Sequence, residues 1–271
     1  MGPMAGSYIE RRHETVSSLA FADEMLMQHS LRGFCVAVLP ILSLVGCATF
    51  GPAPVGADPV ILVGGTITPE GALAPLAWRL RRDGFDAHVF ELVDLGLADI
   101  DVSARALSEL VRKVLARTGA SRVDLIGHSQ GALVARQYIK FHGGVSKVDD
   151  YIALAGPEYG TRLANFADRI GACFFPACRE MAVGSDFLEA LNAGDDTPGA
   201  VRYTTISTLF EEFIHPVENT NLRDGATNVK IQDKCPLRAV DHLGLIFDGT
   251  VYSVIARVLS SGTVESDCWA R

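Results

Sequence analysis

The sequence predicts an α/β fold, a mostly parallel sheet of about six strands flanked on both faces by helices. Three observations point there. Short apolar runs suited to buried strands alternate along the chain with stretches of helical periodicity. One such run, Val123 to Ile126, passes directly into a helix-spaced set, Leu133, Val134, Gln137, Tyr138 and Phe141, so the element type switches at Ser129. The part after the apolar N-terminal segment is roughly 220 residues long, enough for one domain with a large core.

In order, strands are expected near 60–64, 87–92, 123–127, 149–154, 202–207 and 228–232, with helices near 72–82, 101–117, 130–141, 184–192 and 250–259. The first strand, Val60-Ile61-Leu62-Val63, is apolar throughout, as a strand covered on both faces must be. Arg79, Arg81 and Arg82 read as the solvated face of the first helix. No repeat or low-complexity tract interrupts the pattern. A net charge of −8 argues against nucleic acid as a partner, and a monomer is expected.

At Gly127-His128-Ser129-Gln130-Gly131 the two small residues let strand and helix meet closely and push the serine hydroxyl outward. With 26 glycines in the chain a bare Gly-x-Ser-x-Gly is weak, but the strand before it and the helix after it make this a nucleophile elbow. A serine nucleophile needs a base, and the base needs a carboxylate to orient it. Of the seven histidines, His142, His215 and His242 follow Ser129. His142 ends the elbow helix, where its charge suits the helix C-terminus. His215 stands four residues from the expected acid, so His242, in the loop before the last helix, is the expected base. Glu211, just past the strand Val201 to Ser207, is the expected acid, with Glu158, after the preceding strand, as the alternative. Asp241 is assigned to ordering its own loop and Glu212 to a surface charge. The oxyanion donors are expected at Gln130 and at Thr66, whose amide and hydroxyl both offer a proton. A phosphate loop at Gly64-Gly65 is disfavoured because no Gly-Lys-Ser/Thr follows. The cleft walls are expected to include His128, Glu158, Phe210, Ile214 and Val217. Only a short stretch, Pro157 to Pro198, is free to cover them, which predicts an open site.

These residues resemble those of the small α/β-hydrolase lipases, the bacterial class 2 lipase family, with a more distant likeness to a yeast lipase B. Three stretches carry the resemblance: Val123 to Gly131, Lys147 to Pro157, and Cys235 through Gly244. It implies hydrolysis of carboxylic esters through an acyl-enzyme on Ser129, with an ester or lipid substrate, and it implies no metal and no organic cofactor. Two departures stand out: the family usually has aspartate where Glu211 stands, and many members have His-Gly where this chain has Gly64-Gly65. A surface-anchored binding module that has lost catalysis, or an acyltransferase using the same acyl-enzyme, is the alternative function.

The N-terminal region speaks of location. From Leu31 to Val45 the chain is apolar, with Arg32 near its start and Leu44-Val45-Gly46-Cys47 at its end, the pattern of a lipoprotein-type signal over 27–47 with lipid attachment at Cys47. Several acyl chains, at roughly 0.8 kcal/mol per buried methylene, would hold the protein on a bacterial membrane; plain secretion is the alternative. Residues 1–26 read as a misassigned start or an artefact, 48–58 as a linker, and 59–271 as the catalytic domain. Cys173, Cys178, Cys235 and Cys268 remain, an even set allowing three pairings. Cys173 with Cys178 and Cys235 with Cys268 are the pairs expected, and zinc is disfavoured because the spacings are not paired Cys-x-x-Cys knuckles.

Overall fold

A computed structural model describes Pro54 and residues 56–271. The expected signal, Cys47 and most of the linker lie outside the described residues. Six strands form one sheet: β1 (Val60–Val63), β2 (Ala87–Phe90), β3 (Val123–His128), β4 (Val148–Leu154), β5 (Arg202–Ser207) and β6 (Thr227–Lys230). Their order is β2-β1-β3-β4-β5-β6 and every neighbouring pair is parallel. Parallel neighbours need crossovers; α-helices lie in each connection up to β5, a short 3-10 turn, Val217–Thr220, lies between β5 and β6, and two further helices follow β6. The helices of the described residues are α1 (Glu70–Arg82), α2 (Ile100–Thr118), α3 (Gln130–Phe141), α4 (Arg162–Arg169), α5 (Pro176–Glu180), α6 (Asp186–Asn192), α7 (Ile231–Lys234) and α8 (Gly249–Ser261).

Strand alternation divides the core in two. Val60 and Leu62 pack with Leu73, Leu76 and Leu80 of α1 and with Val251, Val254 and Ile255 of α8. Ile61 and Val63 point the other way, onto Ile100, Leu107 and Val111 of α2 and Leu133 and Val134 of α3. A residue-by-residue switch of faces is the strand's period of two, and burial on both sides is why β1 carries no polar residue.

The pattern predicts five helices, and the sequence gives no sign of α4, α5 and α7. Each is eight residues or shorter, a length at which periodicity is a weak signal; α6, at seven residues, is the one short helix that the sequence pattern does mark. The sixth strand also ends one residue before Ile231, which opens α7 instead. Both expected disulfides are present, Cys173–Cys178 between α4 and α5 and Cys235–Cys268 around the His242 loop.

Candidate active site

The residues expected in the site lie at or beyond the C-terminal ends of the strands, where a parallel sheet gathers its loops. At the end of β3 Ser129 takes φ 54°, ψ −127°, a conformation that costs a non-glycine residue on the order of 1–3 kcal/mol. The two glycines make it attainable. A Cβ on Gly127 would lie 2.5 Å from Ala132 Cα, and one on Gly131 would lie 2.3 Å from the Val63 carbonyl oxygen. The elbow closes only because neither position has a side chain.

The loop after β1 rests on this corner. A Cβ on Gly65 would come 3.0 Å from Ser129 Cβ, so the glycine sets how near the loop approaches the serine. Next to it, the Thr66 hydroxyl donates to Gln130 Oε1 at 2.7 Å, and Gln130 Nε2 donates to the Gly96 carbonyl at 3.0 Å. The hydroxyl, expected as a second oxyanion donor, instead fixes the buried Gln130 side chain. Among the described residues the backbone amides of Thr66 and Gln130 take no acceptor, which leaves two N–H groups at the elbow.

His242 approaches from the loop before α8. Its Nδ1 lies 2.9 Å from Glu211 Oε2 and 2.8 Å from Oε1. Glu211 also accepts the amides of Phe213 at 2.9 Å and Ile214 at 3.0 Å. Burial by itself would raise the Glu211 carboxyl; the hydrogen bond and charge of His242 and the two amides outweigh it and hold the group below its ordinary range. The His242 backbone amide donates to Glu212 Oε2 at 3.1 Å, so Glu212 anchors the His242 main chain and is not the simple surface charge expected. Asp241 orders its own loop by accepting the Gly244 amide at 2.6 Å. The His242 ring contacts those of His128, at 4.8 Å between centroids, and Phe213, at 4.9 Å.

The remaining histidines and the alternative acid go elsewhere. His142 caps α3 and meets Asp101 at 2.6 Å; His215 engages Thr161 and Arg162 through its backbone. Glu158 is wholly buried, with one carboxylate oxygen on Tyr151 at 2.7 Å and the other on Arg136 at 3.0 Å. Three of the five expected wall residues do not present a surface. Glu158 faces the core under α3, Ile214 is buried with its amide on Glu211, and His128 is buried against His242. Phe210 is half exposed and Val217 half-buried. The Ile214 amide is tied to Glu211 and its side chain is turned inward, which sequence spacing cannot show.

Residues 103–251, more than half of the chain, match the family described as Lipase (class 2). Lipase B of Pseudozyma antarctica is 27% identical over 232 residues, covering 81% of this chain and 66% of that protein. A triacylglycerol lipase of Pseudomonas fragi is 32% identical over 90 residues, covering 33% of this chain and 29% of that one. In structure, Aspergillus fumigatus lipase B superposes with a TM-score of 0.65 at 23% identity, over 79% of this chain and 55% of its own. The mature lipase BlEst2 of Bacillus licheniformis superposes with a TM-score of 0.62 at 20% identity, over 77% and 94%. The structural likenesses speak to the fold, and the chain spans less than two thirds of several of these relatives.

Proposed function

The chain belongs to the class 2 lipase family, and from that premise we propose that it is a serine carboxylic-ester hydrolase acting through Ser129, His242 and Glu211. The observation that carries this reading is the buried His242–Glu211 pair, held against the strand end that bears Ser129. In the reaction His242 Nε2 takes the Ser129 hydroxyl proton as Oγ attacks the ester carbonyl. Glu211 accepts Nδ1–H throughout, which fixes the tautomer and stabilises the imidazolium. The oxyanion that develops faces the amides of Thr66 and Gln130. His242 then gives its proton to the departing alkoxide, leaving an acyl-serine. Water, deprotonated by the same base, attacks that ester; the acid leaves and Ser129 recovers its proton.

Acyl esters of glycerol or of shorter alcohols are the proposed substrates, and the exposed Phe210 offers apolar contact for an acyl chain. Export is also proposed, supported by the two disulfides, which persist in oxidising compartments; a lipid anchor at Cys47 would keep the enzyme at a membrane. Hydrolysis of a graded series of p-nitrophenyl esters, beside the Ser129→Ala variant, tests the reading. Serine-dependent turnover supports it, and a folded protein inert at every chain length would refute it.

A further inference from the structure

His128 precedes the proposed nucleophile, yet it has no step in the chemistry above. It is the last residue of β3 and only 2% exposed. Its Nε2 lies 3.1 Å from the backbone carbonyl oxygen of His242. A carbonyl can only accept, so Nε2 carries the proton. That leaves Nδ1 as a bare lone pair, and Nδ1 is buried with no hydrogen-bond partner. The ring is wedged between two parts of the site: the His242 imidazole on one side, at 4.8 Å between centroids, and Gly65, where an added Cβ would lie 3.4 Å from His128 Nδ1.

A buried polar atom without a partner is disfavoured by about 1–3 kcal/mol. A leucine or phenylalanine at this place would avoid that cost, so something the ring does must offset it. What it does is reach across 114 residues of chain to hold the base's backbone. Glu212 takes the His242 amide, Glu211 takes its Nδ1, and His128 takes its carbonyl. With the Phe213 ring also in contact, its centroid 4.9 Å from that of the imidazole, His242 is restrained through its main chain, its ring Nδ1 and two ring contacts.

We propose that His128 is a positioning residue: its Nε2–H bond to the His242 carbonyl and its ring contact with the imidazole lock the base against the strand end that carries Ser129. The proposal rests on the ester-hydrolase reading for its kinetic consequence but not for its geometry. Burial first, and then the proximity of His242, push the His128 ring down to a pKa of about 4. A neutral neighbour is what the mechanism needs, because His242 is transiently cationic and a second imidazolium beside it would repel it.

Two variants and one spectrum test this. His128→Phe keeps a ring but removes the N–H; His128→Gln keeps an amide donor of similar reach. With a soluble p-nitrophenyl ester, His128→Phe should lower kcat about tenfold to a hundredfold with KM nearly unchanged, as expected when a catalytic group loses its alignment. His128→Gln should recover most of that loss. Proton NMR of the folded proteins should show a downfield His242 Nδ1–H signal in the wild type and in His128→Gln, exchange-broadened in His128→Phe. Wild-type full kcat and an intact signal in His128→Phe would overturn the proposal, as would a wild-type spectrum showing His128 protonated on Nδ1. The NMR arm does not depend on turnover. Failure of the hydrolase reading, seen as no serine-dependent activity, is therefore distinct from failure of this one.

Discussion

Arg136 Nη1 and Glu158 Oε2 meet at 3.0 Å with both side chains buried, Arg136 on the elbow helix and Glu158 just beyond β4. Arg136 also donates to Asn192 Oδ1 and the Asp196 carbonyl, and Tyr151 bridges Glu158 Oε1 and the Ala132 carbonyl. The carboxylate is thus consumed in bracing α3 from below. Glu158→Gln should destabilise the fold by about 3–5 kcal/mol, because it strands a buried guanidinium, while the folded fraction keeps its kcat. Glu211→Gln should do the opposite, lowering kcat by about 10³- to 10⁴-fold through loss of the His242 tautomer with a smaller change in stability. Denaturant midpoints and active-site titration on the same samples separate the two.

A second prediction concerns the corner itself. The alanine methyl in Gly131→Ala would meet backbone oxygens of Val63 and Gly64 at 2.3 and 2.4 Å, and backbone cannot swing aside as a flexible side chain can. The variant should lose about 1–3 kcal/mol or more, and the shift of the elbow relative to the loop after β1 should lower turnover in molecules that still fold. Gly119→Ala is the control: space is open around it, so the oxyanion region is untouched and only the left-handed φ of 75° is strained. Equal turnover in the two would refute the prediction.

The pH dependence of stability follows from His128. Its folded value of about 4 lies below the ordinary 6.5, so the unfolded chain binds the proton first as pH falls. The contribution of His128 to stability is therefore full above about pH 6.5 and declines toward pH 4 by about 3 kcal/mol. The charged and titratable groups facing the ring are His242 and Glu211. His128→Phe should flatten this part of the stability profile, measured by chemical denaturation across the range.

Asp124 predicts a slope of the other sign. Burial, the charge of Asp150 and then those of Asp58 and Asp149 raise its carboxyl to about 8, against the Asp150 amide that it accepts at 3.0 Å. The folded state then holds a proton that the unfolded chain has released above about pH 4, so this contribution fades as pH rises toward 8. Asp124→Asn keeps an oxygen for the Asp150 amide and removes the charge. It should stabilise the protein at pH 8 by on the order of a few kcal/mol and change little at pH 4; equal effects at both would refute the assignment.

What the sequence by itself determined is what neighbouring residues encode. The six parallel strands, the four long helices α1, α2, α3 and α8, and the seven-residue α6 follow from apolar runs and periodicity, because burial of a strand or a helix face is written in residues two to four apart. The elbow is equally local: Gly127, Ser129 and Gly131 lie within one turn of chain. In helices as short as α4 and α5 periodicity is a weak signal.

Only the tertiary structure decided which side chains meet. Glu211 and Glu158 each follow a strand and each precede no local signal that distinguishes them; one reaches His242 and the other Arg136. The roles of Glu212 at the His242 amide and of His128 at its carbonyl were likewise illegible in sequence, since these partners are 30 and 114 residues away. Such contacts depend on where long loops deliver a backbone to within a fraction of an ångström. That placement is set by the packing of the whole sheet and its helices, and no pattern confined to one segment contains it.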